Sequence, residues 1–334
     1  MKRCVVTGGA GFIGSHLVDR LVADGNEVVA IDNLAVGRRS NLDNALSSGK
    51  AELHEIDVAD LDAIKPLFED APVVFHLAGM ADIVPSIEHP LDYHRANVDG
   101  TASVMEAARA GGATKIVYAA SSSCYGIPDE YPTPESAAIQ PQYPYALTKN
   151  LGEQIVLHWG AVYSMDVLAL RLFNVYGPRA RTSGTYGAVF GVFLAQKLAG
   201  EPLTIVGDGK QTRDFTYVAD VVEAFVTAAA SSISGEIFNV GSGGTYSVNQ
   251  LVKLIGGETT YLPKRPGEPD QTFADISKIK SLLDWSPKIS FEEGVGKVLE
   301  DIEDWGDAPV WTPKKINEAT RAWFANLERS SADV

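Results

Sequence analysis

Cysteine is scarce: the 334-residue chain has two, Cys4 and Cys124. Two thiols build no disulfide framework, and neither has the spacing of a metal-ligand set, so no metal is expected. Cys4 falls inside the first apolar run, where a small buried residue is the ordinary case. Basic residues are in short supply too, 28 Lys and Arg against 43 Asp and Glu, for a formal net charge of −15. Such a surface repels phosphate backbones and excludes general nucleic-acid binding, while leaving room for a small anion held by a few local arginines. No apolar run approaches the ~18 residues of a membrane span, so no membrane association is expected. The opening MKRCVVTGG runs straight into a strand-like stretch, so no secretory leader is expected and the cytoplasm is the expected compartment. Internal repeats and low-complexity blocks are missing as well. Apolar residues, by contrast, are plentiful at 45%, with 21% charged. That supports a sizeable core and either two domains or one domain with a large annex.

The first half alternates short β-rich runs with longer helical patterns. CVVTG, EVVAID, AELHEID, PVVFHLAG and KIVYAASS read as strands, and DVLALRLFNV continues the sheet. Between them, FIGSHLVDRLVADG and NVDGTASVMEAARAGG carry apolar residues at helical spacing. That rhythm predicts an α/β, Rossmann-like doubly wound parallel sheet. Beyond Asn174 the rhythm breaks into turn-rich segments with Arg179, Arg181 and Arg213. YVADVVEAFVTAAA and GEIFNVGSG then predict a helix and a strand returning to the main sheet. From about Tyr246 the pattern predicts short helices and loops capping the sheet edge. TPKKINEATRAWFANL has the signals of a last helix, followed by a frayed tail, ERSSADV.

The strongest local signal is TGGAGFIGSHL, Thr7 to Leu17. Gly9, Gly11 and Gly14 fit G-x-G-x-x-G, and Gly8, Gly11 and Gly14 also fit a G-x-x-G-x-x-G spacing. The chain must turn sharply from strand to helix, and a pyrophosphate must approach backbone N–H groups without a Cβ in the way. The motif follows an N-terminal strand, opens an apolar helix, and is followed by Asp32 at the end of the second strand, as a dinucleotide site requires. A carboxylate there accepts from both ribose hydroxyls of NAD and repels a 2′-phosphate. Arg38 and Arg39 follow closely, which leaves NADP as an alternative at this point.

A second pair, Tyr145 and Lys149 in YPYALTKN, shares one helix face by its four-residue spacing. Alone it means little. With TGGAGFIGSHL, HLAG (His76–Gly79), NVDGT at Asn97, SSSCYG at Ser121, LRLFNVYGP at Arg171, TRDF at Arg213 and RPGEP at Arg265, the chain resembles a known family. That family is the extended short-chain dehydrogenase/reductase group of NAD-dependent nucleotide-sugar epimerases and dehydratases, with UDP-glucose and UDP-N-acetylglucosamine 4-epimerases the most similar members.

The resemblance implies a Rossmann-like NAD-binding domain, residues 1–173 and about 214–243, and a smaller C-terminal substrate-binding domain, about 174–213 and 244–330. It implies cofactor contacts at Gly8, Gly11, Phe12, Ile13, Gly14, Asp32, Asn33, Asp57, Val58, Leu77, Ala78, Gly79, Asn97, Tyr145 and Lys149. His76 is read as structural. Tyr145 becomes the base that takes a sugar hydroxyl proton, Ser123 its partner hydroxyl, Lys149 the ribose anchor, and Ser122 an assistant. A phenol of ordinary pKa ~10 needs a neighbouring ammonium and a positive nicotinamide to act at neutral pH.

On the substrate side the resemblance implies that Arg213, Arg265 and Asn174 hold a pyrophosphate, for which the guanidinium fork is suited. Glu268 would take the nucleoside ribose. Seven residues past Arg265, where glucose-specific epimerases carry a bulky tyrosine, stands Thr272, which leaves room for an N-acetyl group. GAVFGVF lacks the proline usual in the family, so no base contact is assigned to it. A 4,6-dehydratase usually shows TDE after the catalytic hydroxyl, and UDP-glucuronate decarboxylases show SEVYG; Cys124 and Tyr125 stand there instead. Epimerisation of a UDP-hexose through a 4-keto sugar is the expected activity. A dehydratase or other 4-keto-forming enzyme stands as its alternative, and a silent NAD-binding regulator as a distant one. A homodimer through the two long helices is expected.

Overall fold

The computed structural model describes residues 2–180 and 189–327; Arg181 and the tail 328–334 lie outside the described residues. Seven strands form the central sheet: β1 (Arg3–Thr7), β2 (Glu27–Ile31), β3 (Ala51–His54), β4 (Val73–His76), β5 (Lys115–Ser121), β6 (Asp166–Leu172) and, much later in the chain, a strand at Glu236–Val240. Between β6 and that last strand come β7 (Asn174–Tyr176), β8 (Leu203–Val206), β9 (Thr212–Arg213) and β10 (Phe215–Tyr217), so Glu236–Val240 is β11. The order across the sheet is β11-β6-β5-β4-β1-β2-β3, with every pair parallel. The order reverses between β1 and β4, and a crevice opens at the carboxyl ends of those strands, where such sheets bind ligands.

Buried parallel strands need apolar residues on both faces, and β1 shows how the sequence meets this. Val5 joins one layer, with Val104, Met105, Ala108 and Val156 of the helices Gly100–Ala110 and Pro144–Tyr163. Cys4 and Val6 join the opposite layer, with Leu17, Val18, Val221 and Phe225 of the helices Phe12–Ala23 and Val218–Ala230. The return strand β11 lies beside β6, where the reading of GEIFNVGSG put it in the sheet.

Three details differ from the sequence reading. DVLALRLFNV is not one strand. It leaves the sheet at Phe173, whose N–H turns to the Val240 carbonyl, and Asn174–Tyr176 pairs with β10 instead. The C-terminal region also contains strands β12 (Tyr246–Ser247) and β13 (Thr259–Leu262), paired with β9 and β8. These surround an aromatic core of Tyr176, Phe190, Phe215, Phe291 and Trp305, in which Tyr176 stacks on Phe190 with centroids 4.5 Å apart. The last helix is two, Pro313–Ala319 and Arg321–Leu327, interrupted at Thr320. Among the described residues no helix is long and apolar enough to cross a membrane.

Candidate active site

The glycine-rich turn between β1 and the first helix is shaped by close approach. Gly8 has φ +68°, and a Cβ there would sit 2.7 Å from the Ala78 nitrogen. A Cβ at Gly14 would sit 2.1 Å from the Gly8 carbonyl oxygen, so Gly8 is needed for packing against Leu77 and Ala78, and Gly14 for the first helix to close on the turn. At Gly11 an added Cβ meets one neighbour, the Gly8 oxygen at 3.1 Å, and otherwise faces open space. Gly11 caps the helix Phe12–Ala23 without a side-chain hydrogen bond, leaving the first N–H groups for an anion. Phe12 and Ile13, partly buried, begin that helix. These are the features a dinucleotide pyrophosphate requires, and the residues fit NAD.

Asp32 is 7% exposed at the end of β2. Its carboxylate accepts the Ala10 N–H at 3.0 Å and the Leu34 N–H at 2.8 Å, tying the glycine turn to the second strand. Burial raises its pKa, against lowering by those backbone donors. Asn33 is exposed and accepts the Ala35 N–H. Asp57 accepts from Ala59 and pairs with Arg95 at 3.2 Å, while Val58 is buried under Gly100.

The nicotinamide end is organised by a chain of hydrogen bonds. The Ala78 N–H donates to Thr7 Oγ1, and that hydroxyl lies 2.7 Å from His76 Nδ1. His76 Nε2 lies 3.0 Å from Thr101 Oγ1, which donates to the Asn97 carbonyl. The chain is satisfied by a neutral His76 with its proton on Nε2. Burial pushes the imidazole pKa down to about 3, helped by the charge of Lys149. Asn97 sits in a wider π-helical turn, Arg95–Asp99, of a kind frequent at functional sites. Its side chain brackets Met80, accepting the N–H at 2.7 Å and donating to the carbonyl at 3.0 Å. It also donates to Thr148 Oγ1, which in turn donates to the Tyr145 carbonyl. Gly79 is exposed, opening this turn toward the crevice.

Tyr145 and Lys149 lie on the helix Pro144–Tyr163, one turn apart, with β5 beside them. The Tyr145 phenol donates to Ser121 Oγ at 3.2 Å, and Ser121 Oγ lies 2.8 Å from Ser123 Oγ. Ser121, the last residue of β5, is therefore one partner of the phenol, and Ser123, bonded to Ser121, also hydrogen-bonds with it. Ser122 begins the short turn Ser122–Tyr125, partly buried. The expected lowering of the phenol's pKa is not found in the protein alone. Burial raises it, and the Ser121 bond offsets this in part. Lys149, 7% exposed, is itself pushed down to about 7 by burial, against an opposing pull from Glu153. Its Nζ stands 4.3 Å over the Tyr118 ring. Glu153, one turn further along, pairs with Arg171 through two oxygens at 2.6 and 2.8 Å, with both side chains 4% exposed.

Across the crevice Arg213 and Arg265 converge on Glu268. Arg213 donates to Glu268 Oε1 at 2.7 Å, and Arg265 lies 3.8 Å from Oε2. The Glu268 carboxylate is thus engaged by both arginines, where a contact to ribose was expected. Thr272 donates to Asn174 Oδ1 at 2.8 Å and accepts the Asp214 N–H, so its hydroxyl is committed to the protein. Tyr143 links the halves of the site. It stacks on Tyr145 at 6.3 Å between centroids. Burial, then the charges of Tyr145 and Glu268, raise its pKa, against lowering by Arg213. The sequence reading missed Ser121, Tyr143 and Glu153. For Ser121 the usable signal was its place as the last residue of a strand pointing into the crevice. Among the described residues, no group of three or more His, Cys, Asp and Glu side chains is arranged to hold a metal ion.

A glycine-cradled dinucleotide site on one side of the switch point, facing a tyrosine–lysine pair on the other, defines a dinucleotide-dependent α/β protein. The chain belongs to the NAD dependent epimerase/dehydratase family, whose model matches residues 4–241. It is 40% identical over 306 residues to a UDP-glucose 4-epimerase of Mycolicibacterium smegmatis, covering 89% of this chain and 97% of that protein. Among solved structures it matches a UDP-N-acetylglucosamine 4-epimerase of Methanobrevibacter ruminantium in complex with UDP-N-acetylmuramic acid. The TM-score is 0.85 at 34% identity, with 91% of this chain and 98% of that one covered. It also matches a UDP-glucuronic acid 4-epimerase of Bacillus cereus in complex with UDP-glucuronic acid and NAD. Here the TM-score is 0.83 at 32% identity, with 90% and 99% covered.

Proposed function

We propose that this protein is an NAD-dependent 4-epimerase of UDP-hexoses and that it accepts N-acetylated sugars. The observation that carries the reading is the Tyr145 phenol, hydrogen-bonded to Ser121 within the crevice, between the glycine turn and the Arg213–Arg265 pair. Tyr145 takes the proton of the sugar 4-hydroxyl, with the Ser123 hydroxyl orienting that oxygen and Ser121 sharing the hydrogen bonding of the phenol. NAD, when bound, supplies the acceptor for the C4 hydride and then the donor that returns it to the opposite face. Lys149 holds the nicotinamide ribose and adds positive charge beside the phenol, which favours the phenolate that burial disfavours. Tyr145 then gives its proton back to the inverted alkoxide. Arg213, Arg265 and Asn174 hold the pyrophosphate while the keto sugar turns over.

Dehydration needs a second acid and base next to the catalytic hydroxyl. Cys124 and Tyr125 occupy those positions, and both are buried. Burial pushes the Cys124 thiol up to about 12. The Tyr125 hydroxyl donates to Asn239 Oδ1 at 2.7 Å. Neither is suited to carry a proton for water loss, which favours epimerisation over a 4,6-dehydratase. The proposal includes a homodimer through the helices Gly100–Ala110 and Pro144–Tyr163, for which exposed Leu147, Val162 and Tyr163 supply apolar surface. The proposal assigns NAD binding to residues 1–173 and about 214–243, and substrate binding to about 174–213 and 244–330.

The test is incubation of the purified protein with UDP-glucose, UDP-N-acetylglucosamine and UDP-glucuronate separately, followed by resolution of stereoisomers. Equilibration of a C4 pair is the expected result. An accumulating 4-keto-6-deoxy product or released carbon dioxide would overturn the reading.

A further inference from the structure

We infer that the C-terminal helix Arg321–Leu327 belongs to the anion-binding apparatus, with Trp323 as the positioning residue for Arg265. The inference rests on the proposal that Arg265 holds a diphosphate. The loop Lys264–Asp270 that carries Arg265 has no regular structure: it contains Pro266 and Pro269 and turns through Gly267 at φ +68°. A loop of this kind samples many conformations unless something fastens it. Trp323, 4% exposed, does so. Its indole N–H donates to the Pro266 carbonyl at 2.7 Å, and the Arg265 guanidinium lies 5.4 Å from the centre of its ring. Leu327 closes against Gly267 from the same helix. The other side of the helix packs on Ile83–Glu88, the segment that follows the turn at the end of β4. A short helix at the end of the chain thus ties the arginine loop to the opposite wall of the crevice.

The geometry suits an anion. A guanidinium that rests one face on an aromatic ring has its N–H groups in a plane set by that ring, the fork geometry that matches phosphate oxygens. Arg265 also stands 3.8 Å from Glu268. Held between an indole and a carboxylate, it has lost much of its side-chain freedom before ligand arrives, so less ordering is required on binding. A cavity of about 400 Å³ opens beside the loop, lined by Ile127, Arg265, Pro266, Glu268 and Asp270.

The experiment is calorimetric titration of the NAD-loaded protein with UDP and, separately, with uridine. Trp323→Ala should weaken UDP about tenfold, the equivalent of ~1.4 kcal/mol, and leave uridine affinity and bound NAD unchanged. KM for the UDP-sugar should rise by the same factor at constant kcat. UDP affinity equal to wild type, or equal losses for UDP and uridine, would overturn the inference. If Trp323→Ala fails to retain NAD, Trp323→Phe decides, since it fills most of the space but lacks the donor. A loss confined to UDP supports the positioning role, and no loss overturns it. A wild-type protein that binds no UDP, or an Arg265→Ala variant that binds it normally, would instead overturn the functional reading beneath.

Discussion

The Tyr145 phenol and the Ser121 hydroxyl lie 3.2 Å apart, and the Ser123 hydroxyl lies a further 2.8 Å from Ser121. Proton transfer through a positioned phenol contributes roughly 10²–10⁴ to rate. Tyr145→Phe should therefore lower interconversion of the stereoisomers by at least about a hundredfold while NAD stays bound. Both Ser121→Ala and Ser123→Ala should lower kcat, because each removes a hydroxyl hydrogen-bonded with the phenol. A variant at either serine with wild-type kcat would remove that serine from the mechanism. Steady-state rates with cofactor content measured by absorbance settle both.

Glu153 and Arg171 form a buried pair one helical turn beyond Lys149. Removing one partner leaves the other charged and unmatched, which typically costs about 3–5 kcal/mol. Arg171→Met should lower the thermal midpoint strongly. Arg171→Met with Glu153→Gln should recover part of that loss, since no isolated charge remains. A double variant no more stable than the single one would contradict this account.

His76 gives a sign to the acid response. Its folded pKa, about 3, lies below the ordinary 6.5 because the ring is buried. The unfolded chain therefore binds more protons between these values. The contribution is fully present above pH 6.5 and is lost progressively as pH falls toward 3. His76→Gln should be less stable at pH 7.5, having lost the bonds to Thr7 and Thr101, but should lose less on going from pH 6.5 to 4.5. Denaturant midpoints at the two pH values test it, and parallel slopes for both proteins would refute it.

Thr272 occupies little space beside Asn174. Thr272→Tyr should fill that volume and lower kcat/KM for UDP-N-acetylglucosamine more than for UDP-glucose, since packed sites do not yield to a bulkier ligand. Unchanged selectivity would remove Thr272 from the argument about sugar size.

Much of the fold was legible because its signals are local. Gly8 and Gly14 mark a turn whose close approaches exclude a Cβ, and the alternation of buried runs with helical patterns fixes a parallel sheet. Contacts between distant segments were not legible. Three adjacent serines look alike in sequence, and the part Ser121 takes beside Ser123 follows from where β5 ends. Glu153 reads as an ordinary helical residue until β6 brings Arg171 against it. That Glu268 pairs with both Arg213 and Arg265 emerges only once the loop folds the two arginines onto its carboxylate. The final helix looks continuous because nothing in TPKKINEATRAWFANL breaks it by propensity, and the interruption at Thr320 comes with burial of that side chain.

The edge strand β11 reaches the sheet only after more than sixty residues spent elsewhere, between Leu172 and Glu236. During synthesis the outer side of β6 stays unpaired until residue 240 has emerged, a long apolar edge with open hydrogen-bonding groups. Closing so distant a pairing is slow. Nascent chains halted before Glu236 should therefore stick to one another, and the step that closes the central sheet is expected to be the arrival of its seventh strand.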